Sequence, residues 1–539
     1  MTARWMRART SSRSPSSWAA LAATPGCGVW AVCHADRSGA GLGRRRRMVG
    51  AGAAALWTAL EHLVGRGRQT VVMAHGMLDT LAAAGLHDVL ADDDWWIDSR
   101  APGGLSQRRG RGPTPSGYPL VMGACPCIIP LRRRTTSGRL IMIDSRNMAI
   151  APADGAAEPA VVVDGLMDTL TAIDLVVRSR QWGPLALTCG GQASAVWRCL
   201  HYNDAVWCHD HGGVAAMERA ALYGGRCEAY IVGAATCTVY HMDIRSCYPH
   251  LCTVTPVPCR LCWYREQPDI VQALMWIVEY GCIADVTLET TGRDYPHRGD
   301  GGITYPRGSH RATLATAELR RAASRLEIRT VHAIAVYEEA LALAAAATDL
   351  LDAQQTAPGA DRPDVRRWLK SCAVSLHSRT AMRLPTWEPA PDGDAPAPMA
   401  EWWHPLADGR TVRRRSVGWR VEQECDRVET DNAACGIAAA IESAGRVRLL
   451  ALLEAAGAPH VHYCDTDALV TDYHGMRRLQ ARGLLDSDGP GQLRTIGVYT
   501  DWICWGARHY CANGVVHRSG VPQQAFGGAT LTPPTTPVE

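Results

Sequence analysis

The sequence predicts a multidomain protein of mixed α/β and α+β class, and three observations support this prediction. The chain has 539 residues, which is enough for two to four domains. Its composition, 47% hydrophobic and 20% charged, is that of a globular protein. Short apolar runs alternate with helical patterns over residues 56–200, and longer segments follow. No run of eighteen apolar residues is present, so we expect no membrane partner.

The basic residues are almost all arginine, because Lys370 is the only lysine of the chain. The formal net charge is only +3, so charge alone is weak support for a nucleic-acid partner. Twenty cysteines without a convincing secretory signal indicate reduced thiols. Cys259 and Cys262 form one C-x-x-C, which lacks the second pair that a zinc site needs. We therefore expect an intracellular protein, whose compartment the sequence leaves open.

Both ends of the chain differ in composition from the rest. Residues 1–55 are rich in Arg, Ser and Ala and contain the run Arg44 to Arg47. They indicate a leader, which is either a targeting segment or a disordered extension. Residues 527–539 are rich in Gly, Thr and Pro and predict a disordered tail.

Between these ends, hydrophobic periodicity and helix-boundary residues predict a series of elements. The predicted elements are a strand at Thr70–His75, a helix at Met77–Leu90, a helix at Thr313–Leu326, a strand at Arg329–Tyr337, a helix at Glu338–Thr348, a helix from Pro363, a loop at Ala390–Pro398, a long helix at Asn432–Ala456 and a strand–turn–strand at His460–Tyr473.

The strand–turn–strand carries two aspartates two residues apart. Asp465, Thr466 and Asp467 stand between two apolar runs, which is the pattern of a hairpin whose turn presents carboxylates. Two carboxylates so close repel each other, and a cation between them relieves this repulsion. Alone, the pattern describes a solvated surface turn more often than a metal site.

A second apolar strand runs into Asp243, followed by Ser246, Tyr248 and Pro249. An aspartate in a buried strand is costly unless it is paired or bound to a metal ion. Pro249 ends the strand, and the turn that follows places Tyr248 near the same pocket. Taken alone, this pattern also fits an ordinary strand end.

The helix from Pro363 carries a ladder of cations. Arg362, Arg366 and Lys370 are spaced by four residues and therefore lie near one face. Such a ladder suits a triphosphate, and a lysine ammonium is a compact charge for phosphate oxygens. A solvated basic face is the common alternative. Together the three elements predict a phosphoryl-transfer site, in which two aspartates hold two metal ions and the helix binds the triphosphate.

The order and spacing of these motifs resemble family B DNA polymerases, most closely the protein-primed branch. The family's first motif, D-x-x-S-L-Y-P, is matched by Asp243, Ser246, Tyr248 and Pro249. Its third, Y-x-D-T-D-S, is matched from Tyr463 to Asp467, with Ala468 in place of Ser. The matches to its second motif, K-x-x-x-N-S-L-Y-G, are Lys370, Ser375 and Leu376, and the departures are Val374, His377 and Ser378.

Three further segments agree with this resemblance, which covers roughly residues 200–525. Tyr223-Gly224-Gly225 looks like the Y-x-G-G linker motif, one residue shorter. Arg508-His509-Tyr510 looks like the K-x-Y that steadies the primer terminus. Gly281–Leu326, with Asp285, Tyr295-Pro296 and Tyr305-Pro306, stands where the family has its inter-motif region.

The resemblance implies roles for individual residues. Asp243 and Asp467 are the implied ligands of two Mg²⁺ or Mn²⁺ ions, with Asp465 supporting them as a third catalytic carboxylate. Tyr248, with Ser246, is implied to line the sugar of the incoming nucleotide. The implied phosphate contacts are Lys370 and Arg366. The implied DNA-binding residues are Tyr223, Gly224, Gly225, Ser375, Thr466, Arg508 and Tyr510.

Members of this family carry a 3′–5′ exonuclease before the polymerase, and here its motifs are incomplete. His75 to Asp79 looks like the second exonuclease motif, with His75 in place of Asn. No D-x-E precedes it, since the stretch Leu21–Gly26 has no acid. Asp164 or Asp168 is the candidate for the third motif. The implied domain is therefore exonuclease-like (RNase H-like) but degenerate, with proofreading weak or absent.

The implied architecture is this degenerate domain followed by a right-hand polymerase with palm, fingers and thumb. The expected partners are a DNA primer-template, dNTPs and possibly a terminal priming protein. The expected boundaries are 1–55 leader, 56–200 exonuclease-like domain, 201–310 first part of the palm with the inter-motif insertion, 311–400 fingers and flanking helices, 401–498 second part of the palm, 499–526 thumb and 527–539 tail.

Three alternatives to an active polymerase stay open. A decayed, catalytically weak copy is favoured by the departures at Val374, His377 and Ser378. A non-catalytic nucleic-acid-binding protein would use arginine-rich surfaces, and its affinity would not respond to loss of aspartates. A dinucleotide enzyme, suggested by Gly39, Gly41 and Gly43, is weakly supported because four arginines follow directly and no clear strand precedes.

Overall fold

The structure is a computed structural model of the chain. It describes residues 4–5, 17–23, 29–38, 41–64, 69–77, 80–81, 95–97, 128–133, 139–151, 158–202, 206–299, 302–390, 399–406, 408–417, 420–430, 433–485 and 488–518. Within these ranges, no helix is long and apolar enough to cross a membrane. The chain divides into two compact units, the first with Asn203–Thr348 and Asn432–Glu539 and the second with Ala8–Tyr202 and Asp349–Asp431. The seven residues Met1–Arg7 group with the first unit.

The described strands are β1 Arg4–Trp5, β2 Ser17–Ala23, β3 Val29–Ser38, β4 Gly41–Leu42, β5 Arg46–Ala51, β6 Gln69–Ala74, β7 Trp95–Ile97, β8 Ile128–Arg133, β9 Arg139–Asp144, β10 Trp207–Cys208, β11 Cys227–Ala229, β12 Gly233–Ala234, β13 Val239–Ile244, β14 Val257–Glu266, β15 Gly281–Thr290, β16 His297–Gly299, β17 Gly302–Thr304, β18 Gly308–Ala315, β19 Ile328–Ala340, β20 Arg383–Pro389, β21 Met399–Pro405, β22 Thr411–Val417, β23 Arg420–Glu429, β24 Val461–Asp465, β25 Ala468–Thr471, β26 Leu493–Tyr499, β27 Trp502–Gly506, β28 His509–Ala512 and β29 Val515–Arg518. The described α-helices are α1 Ala53–Leu63, α2 Pro159–Ser179, α3 Cys189–Val196, α4 Gly212–Ala220, α5 Cys247–Val254, α6 Ile270–Glu279, α7 Thr316–Ser324, α8 Ala344–Thr356, α9 Pro363–Ser378, α10 Cys435–Ala456 and α11 Tyr473–Ala481. Short helical turns of other types lie at Ser145–Met148, Trp197–His201, Arg379–Ala381 and Ala458–His460.

The first unit is built on a five-stranded antiparallel sheet in the order β11-β24-β25-β13-β26. Helix α10 contacts α4, α5, α7 and α11 and is buried along most of its length. Its sequence is rich in Ala, Leu and Ile, which have no polar groups to satisfy in such a position. The predicted long helix and the predicted strand–turn–strand are confirmed, as α10 and as β24–β25.

The region between the Asp243 strand and the second unit forms its own antiparallel sheet, in the order β14-β19-β15-β18. Helices α6 and α7 pack on this sheet around a core that includes Ile277, Leu288 and Leu314. The predicted helix at Thr313–Leu326 and strand at Arg329–Tyr337 are confirmed as α7 and β19. The start of the predicted helix Glu338–Thr348 is wrong, because pairing of β19 with β14 extends the strand to Ala340. Hydrogen bonds to β14 thus override the helix propensity of the alanine-rich sequence.

The second unit contains a large mixed sheet in the order β4-β3-β2-β6-β9-β8-β7, with β5 beside β3. Strands β2, β6 and β9 are parallel, whereas β2, β3 and β5 are antiparallel neighbours. Helices α2 and α1 lie against this part of the unit, and α2 contacts β2 and β3. This sheet with its helices confirms the α/β character predicted for the region after Leu56.

The expectation of a disordered leader over residues 1–55 is wrong for the part that the structure describes. Strands β2, β3 and β5 lie within residues 17–51, and Trp18 and Leu21 are fully buried. Strand β2 has neighbours on both sides and reads as an uncharged, apolar run because it is a central strand. The second unit accordingly begins well before position 56.

The rest of the second unit comprises α3, α9 and a four-stranded antiparallel sheet in the order β20-β23-β22-β21. Helix α9 contacts α3 and α2, and the predicted helix start at Pro363 is confirmed. The chain returns to the first unit at Asn432, later than the expected position 401. Residues 311–348 likewise belong to the first unit, so the segment expected as fingers, 311–400, is divided between the two units. The predicted loop Ala390–Pro398, most of the predicted helix Met77–Leu90 and the predicted tail lie outside the described residues.

Candidate active site

The sheet register places the three predicted carboxylates at one edge of the first unit's sheet, where the central strands β13, β24 and β25 end or begin at the β24–β25 turn. Asp243 on β13 is the register partner of Ala468 on β25, and Asp465 on β24 is opposite Ala468 on the other side. The Ile244 amide donates a hydrogen bond to the Asp467 carbonyl, over 2.8 Å. Two separate chain segments thus converge on this sheet edge, as predicted from the sequence.

The Asp465–Asp467 turn is tight because Thr466 has a left-handed backbone, with φ of 60°. The Thr466 amide donates to the Arg226 carbonyl over 2.6 Å, and the Thr466 hydroxyl donates to Asp465 Oδ1 over 2.8 Å. The Asp467 amide donates to the Asp465 carbonyl over 2.7 Å. These bonds offset the cost of a positive φ at a β-branched residue, fix the backbone of the turn and hold the Asp465 carboxylate.

The thiol of Cys247 reports on the electrostatics of this edge. The pKa of Cys247 is raised to about 12, chiefly by burial, with the carboxylates of Asp467 and Asp243 contributing to the rise and Arg448 opposing it. Both aspartates therefore act on one point in the structure. Cys247 itself is buried, which keeps it protonated and unsuited as a ligand.

The donor chemistry at this edge fits hard divalent cations. Among the described residues, no group of three or more His, Cys, Asp or Glu side chains forms a complete metal cage. Mg²⁺ is usually held by one or two carboxylates together with substrate phosphates and water, and not by a complete protein cage. Asp243 and Asp467 are the residues that could hold such ions.

Ser246 and Tyr248 follow Asp243 at the start of α5. Ser246 has a φ of 49° and precedes the first residue of the helix, so the chain turns sharply there. Burial raises the pKa of the Tyr248 phenol, and the nearby Glu442 raises it further. A Cβ atom on Gly445 would lie 3.5 Å from the Tyr248 hydroxyl, so the ring lies closely over α10. Tyr248 is therefore a neutral, fixed ring near the aspartates.

The Tyr223-Gly224-Gly225 segment is bound to α10 and to the Asp465–Asp467 turn. The Gly224 amide donates to Glu442 Oε2 over 2.7 Å, and the Gly224 carbonyl accepts from Arg446 Nη1 over 2.7 Å. A Cβ atom on Gly225 would lie 2.7 Å from the Thr466 side chain. This segment therefore contacts the Asp465–Asp467 turn directly, a proximity that the sequence analysis did not predict.

Three charged residues that the sequence analysis missed support this arrangement. Arg446 is buried and donates to both carboxylate oxygens of Glu318, each over 2.8 Å. Burial alone would lower the pKa of Arg446, but Glu318 reverses the direction and holds the pKa above its usual value. Burial raises the pKa of Glu442. The available signal was Glu442 and Arg446, which are spaced by four in a helix whose other residues are mostly apolar.

Arg508 and Tyr510 lie next to the same turn. The Arg508 amide donates to the Tyr463 hydroxyl over 3.0 Å, and its guanidinium Nε lies 3.7 Å from Asp465 Oδ2. The Tyr510 ring stacks on Trp502 with a centroid distance of 4.5 Å and lies 5.4 Å from Tyr463. A positive charge and an aromatic stack therefore stand beside the carboxylates.

The predicted nucleotide-binding cations lie in the second unit, on α9. Arg366 and Lys370 are exposed on one ridge of the helix. Arg362, the third member of the predicted ladder, is instead ion-paired with Asp364 over 2.7 Å. The partly exposed Ser375 donates its hydroxyl to the Ser371 carbonyl over 2.7 Å, one turn earlier in the helix.

The departures from the second motif occupy two different environments. Val374 is 43% exposed, one helical turn beyond Lys370. His377 is only 6% exposed, and burial lowers its pKa to about 4. The imidazole at this position is therefore neutral at physiological pH and acts as a packing residue.

The acidic residues assigned to the degenerate exonuclease are paired with arginines. Asp164 lies 2.6 Å from Arg47, and Asp168 lies 2.5 Å from Arg45. Both arginines belong to the run that was assigned to the leader. Asp79 lies outside the described residues.

Comparisons with known proteins add the fold to this geometry. Neither a scan against family models nor a search of curated proteins finds a match. Among solved structures, the chain is similar to Phi29 DNA polymerase complexed with primer-template DNA and incoming nucleotide substrates, with a TM-score of 0.64 and 11% identity over 96% of this chain and 94% of that one. It is also similar to the binary complex of Phi29 DNA polymerase with primer-template DNA (TM-score 0.63, 11% identity, 96% and 94% covered) and to an orthorhombic crystal form (0.62, 12%, 94% and 90%). The chain thus has the fold of these polymerase structures along nearly its whole length.

Proposed function

We propose that this protein is a DNA-directed DNA polymerase, a nucleotidyltransferase that extends a primer 3′-hydroxyl with dNTPs on a DNA template. The observation that carries this proposal is the register that brings Asp243 and Asp467 together from separate segments of one sheet. The similarity of fold to a DNA polymerase supports it independently. The proposed partners are a primer-template, dNTPs and possibly a terminal protein as primer.

In this proposal, Asp243 and Asp467 hold two Mg²⁺ or Mn²⁺ ions, and Asp465 supports them. Such ions activate a hydroxyl as nucleophile and stabilise charge on the leaving pyrophosphate. The rigid Asp465–Asp467 turn keeps the two carboxylates in place without a reorganisation cost at each cycle. Arg508, next to Asp465, and Tyr510 are proposed to bind the primer strand, together with the Tyr223-Gly224-Gly225 segment.

The proposed contacts of the incoming nucleotide are those that the family resemblance implies. Lys370 and Arg366 are exposed and carry no carboxylate partner among the described residues, so they are available for phosphates. Tyr248 and Ser246 are proposed to contact the sugar, since Tyr248 is a neutral ring held near Asp467. Ser375 and Thr466 complete the proposed DNA-facing set.

We also propose that the second unit has no working 3′–5′ exonuclease. Strand β2 offers no carboxylate for a metal ion, because its sequence is Ser-Trp-Ala-Ala-Leu-Ala-Ala. Asp164 and Asp168 are occupied by arginines, which supply the positive charge that metal ions would otherwise supply. The purified protein is expected to degrade a 3′-mismatched primer no faster than a blank without protein. Faster degradation by the wild-type chain would contradict this assignment.

Primer extension with matched charge-neutral variants tests the main proposal. Asp243→Asn and Asp467→Asn each remove one carboxylate from the sheet edge, whereas Glu279→Gln removes an exposed carboxylate at the end of α6 in the same unit. We expect a loss of at least 1,000-fold, roughly 4 kcal/mol of transition-state stabilisation, in the first two variants. The Glu279→Gln variant should extend primers normally. Binding of primer-template should be retained in all three.

Two outcomes would contradict the proposal in different ways. If the wild-type chain binds DNA but extends no primer with either metal ion, the protein is a binding protein derived from a polymerase. If extension survives both Asp243→Asn and Asp467→Asn, these aspartates do not hold the metal ions and the site lies elsewhere.

A further inference from the structure

A basic pocket lies in the first unit at the end of the β24–β25 hairpin opposite to the aspartates. It is lined by His460, His474, Arg477, Arg478 and Ala481 and has a volume of about 560 Å³. Strand β24 separates His460 from Asp465 by five residues, which is roughly 16 Å of extended chain. The pocket is therefore distinct from the candidate active site, although both are anchored on the same hairpin.

The charges that face this pocket are mostly positive. The only carboxylate bound to a lining residue is Asp472 among the described residues, and it accepts from His460 Nδ1 over 2.9 Å. Asp472 also caps α11 by accepting from the Gly475 amide over 2.8 Å. Arg477 and Arg478 have no ion pair with a carboxylate in the described part of the chain. Two guanidinium groups therefore leave the pocket with uncompensated positive charge.

The lining side chains are held from two sides. Arg478 Nε donates to the Ala455 carbonyl over 3.3 Å at the C-terminal end of α10, and this bond fixes the guanidinium against the helix end. His460 is fixed by Asp472, and its ring centroid lies 5.6 Å from that of His474. Arg477 and His474 are exposed on α11. The pocket thus combines fixed positions at its base with solvent-accessible donors at its rim.

We propose that this pocket binds a backbone phosphate of a single-stranded nucleic acid. Guanidinium groups match the geometry of phosphate oxygens, and neutral or protonated imidazoles add further donors. A volume of this size accommodates a phosphodiester with several waters, since one water takes about 30 Å³. The adjacent Tyr473 is 52% exposed. An exposed ring beside the basic pocket suits a single strand, whose bases stack on aromatic side chains.

The inference does not depend on catalysis, because strand binding is measured without dNTPs. The first probe is a labelled 20-nucleotide single-stranded DNA, whose binding is measured by fluorescence anisotropy. The second is inorganic pyrophosphate, whose binding is measured by calorimetry. The test variant is Arg477→Glu. Its matched control is Arg482→Glu, which makes the same charge change just beyond α11 and outside the pocket lining. Arg477→Lys retains the positive charge but not the planar guanidinium that can donate two parallel hydrogen bonds. Thermal melting of each variant verifies that it is folded.

We expect Arg477→Glu to weaken DNA binding at least fivefold and to reduce the slope of log K against log salt by about one. Arg482→Glu should change the affinity less than twofold, and Arg477→Lys should keep most of the slope. Equal effects of Arg477→Glu and Arg482→Glu would overturn the proposal, because only the net charge would then matter. Loss of pyrophosphate binding with unchanged DNA affinity would also overturn it, and would assign the pocket to free phosphate compounds. If the protein extends no primer but Arg477→Glu still weakens DNA binding, the proposed function fails and the proposal for the pocket stands, so the two failures are distinguishable.

Discussion

A Cβ atom added to Gly225 would lie 2.7 Å from the side chain of Thr466, the central residue of the Asp465–Asp467 turn. The Thr466 amide is at the same time bound to the carbonyl of the next residue, Arg226. The turn that presents the carboxylates therefore rests on a backbone surface that only glycine leaves open. The position of the aspartates depends on this contact as well as on the strand register.

We expect Gly225→Ala to reduce primer extension strongly while the protein stays folded. The added methyl group must displace Thr466, and overpacking of this kind costs roughly 1–3 kcal/mol. Gly212→Ala is the matched control, because a Cβ atom there meets nothing within 4 Å. Steady-state extension rates and melting temperatures of both variants give the test. Equal extension by the two variants would show that the turn does not need Gly225.

Replacing Arg446 with methionine should destabilise the first unit by roughly 3–5 kcal/mol, because Glu318 would be left buried without its partner. The double variant Arg446→Met/Glu318→Gln should recover part of this loss, since neither charge then remains. Hydrogen exchange of the α10 amides reports on this unit separately from the other. A double variant that is less stable than Arg446→Met would argue that Glu318 is stabilised by something other than Arg446.

Lys370→Ala should raise the KM for dNTPs at least tenfold with a smaller change in kcat, because a ground-state phosphate contact is lost. The KM of Lys370→Arg should lie between those of the wild-type chain and Lys370→Ala, since the charge is kept but the compact ammonium is not. Arg410→Ala removes another exposed cation of the second unit, 78% exposed at its side chain, and should leave both constants unchanged. A KM that is unaffected in Lys370→Ala would exclude this lysine from nucleotide binding.

His377 should make the second unit sensitive to moderately acidic pH. Its pKa is lowered to about 4 in the folded chain, from an ordinary value of 6.5. The unfolded chain therefore takes up a proton below pH 6.5, whereas the folded chain takes it up only near pH 4. Above pH 6.5 the lowered pKa of His377 therefore has no effect on the free energy of unfolding. As the pH falls from 6.5 to about 4, the free energy of unfolding decreases by roughly 2–3 kcal/mol.

His377→Gln provides the test, because an amide of similar size does not titrate. The difference in urea midpoint between pH 7 and pH 4.5 should be smaller in this variant than in the wild-type chain. Identical pH dependence of the two proteins would place the acid sensitivity on other groups.

Local patterns were sufficient to predict the parts of the site that lie within one or two elements. The apolar runs around Asp465 and Asp467 predicted the hairpin, and the Pro363 boundary predicted α9. The pairing of Arg446 with Glu318 was not predictable, because these residues are 128 positions apart and meet only in the folded unit. Strands β2 and β5 were missed for a related reason. Alanine and arginine are weak strand formers, and what holds these residues in strands is pairing with distant neighbours.

The division of the second unit between two stretches of chain has a consequence for biosynthesis. Residues up to Tyr202 leave the ribosome first, and about 150 residues follow before Asp349 restarts the same unit. At ordinary translation rates this delay is roughly 7–30 s. Throughout it, α3 exists without α9, so the surface around Cys189 that α9 will cover faces water. The nascent chain therefore exposes this aggregation-prone surface of an incomplete domain during that interval. The yield of native protein from a recombinant host should depend on the host's holding chaperones and on the speed of elongation.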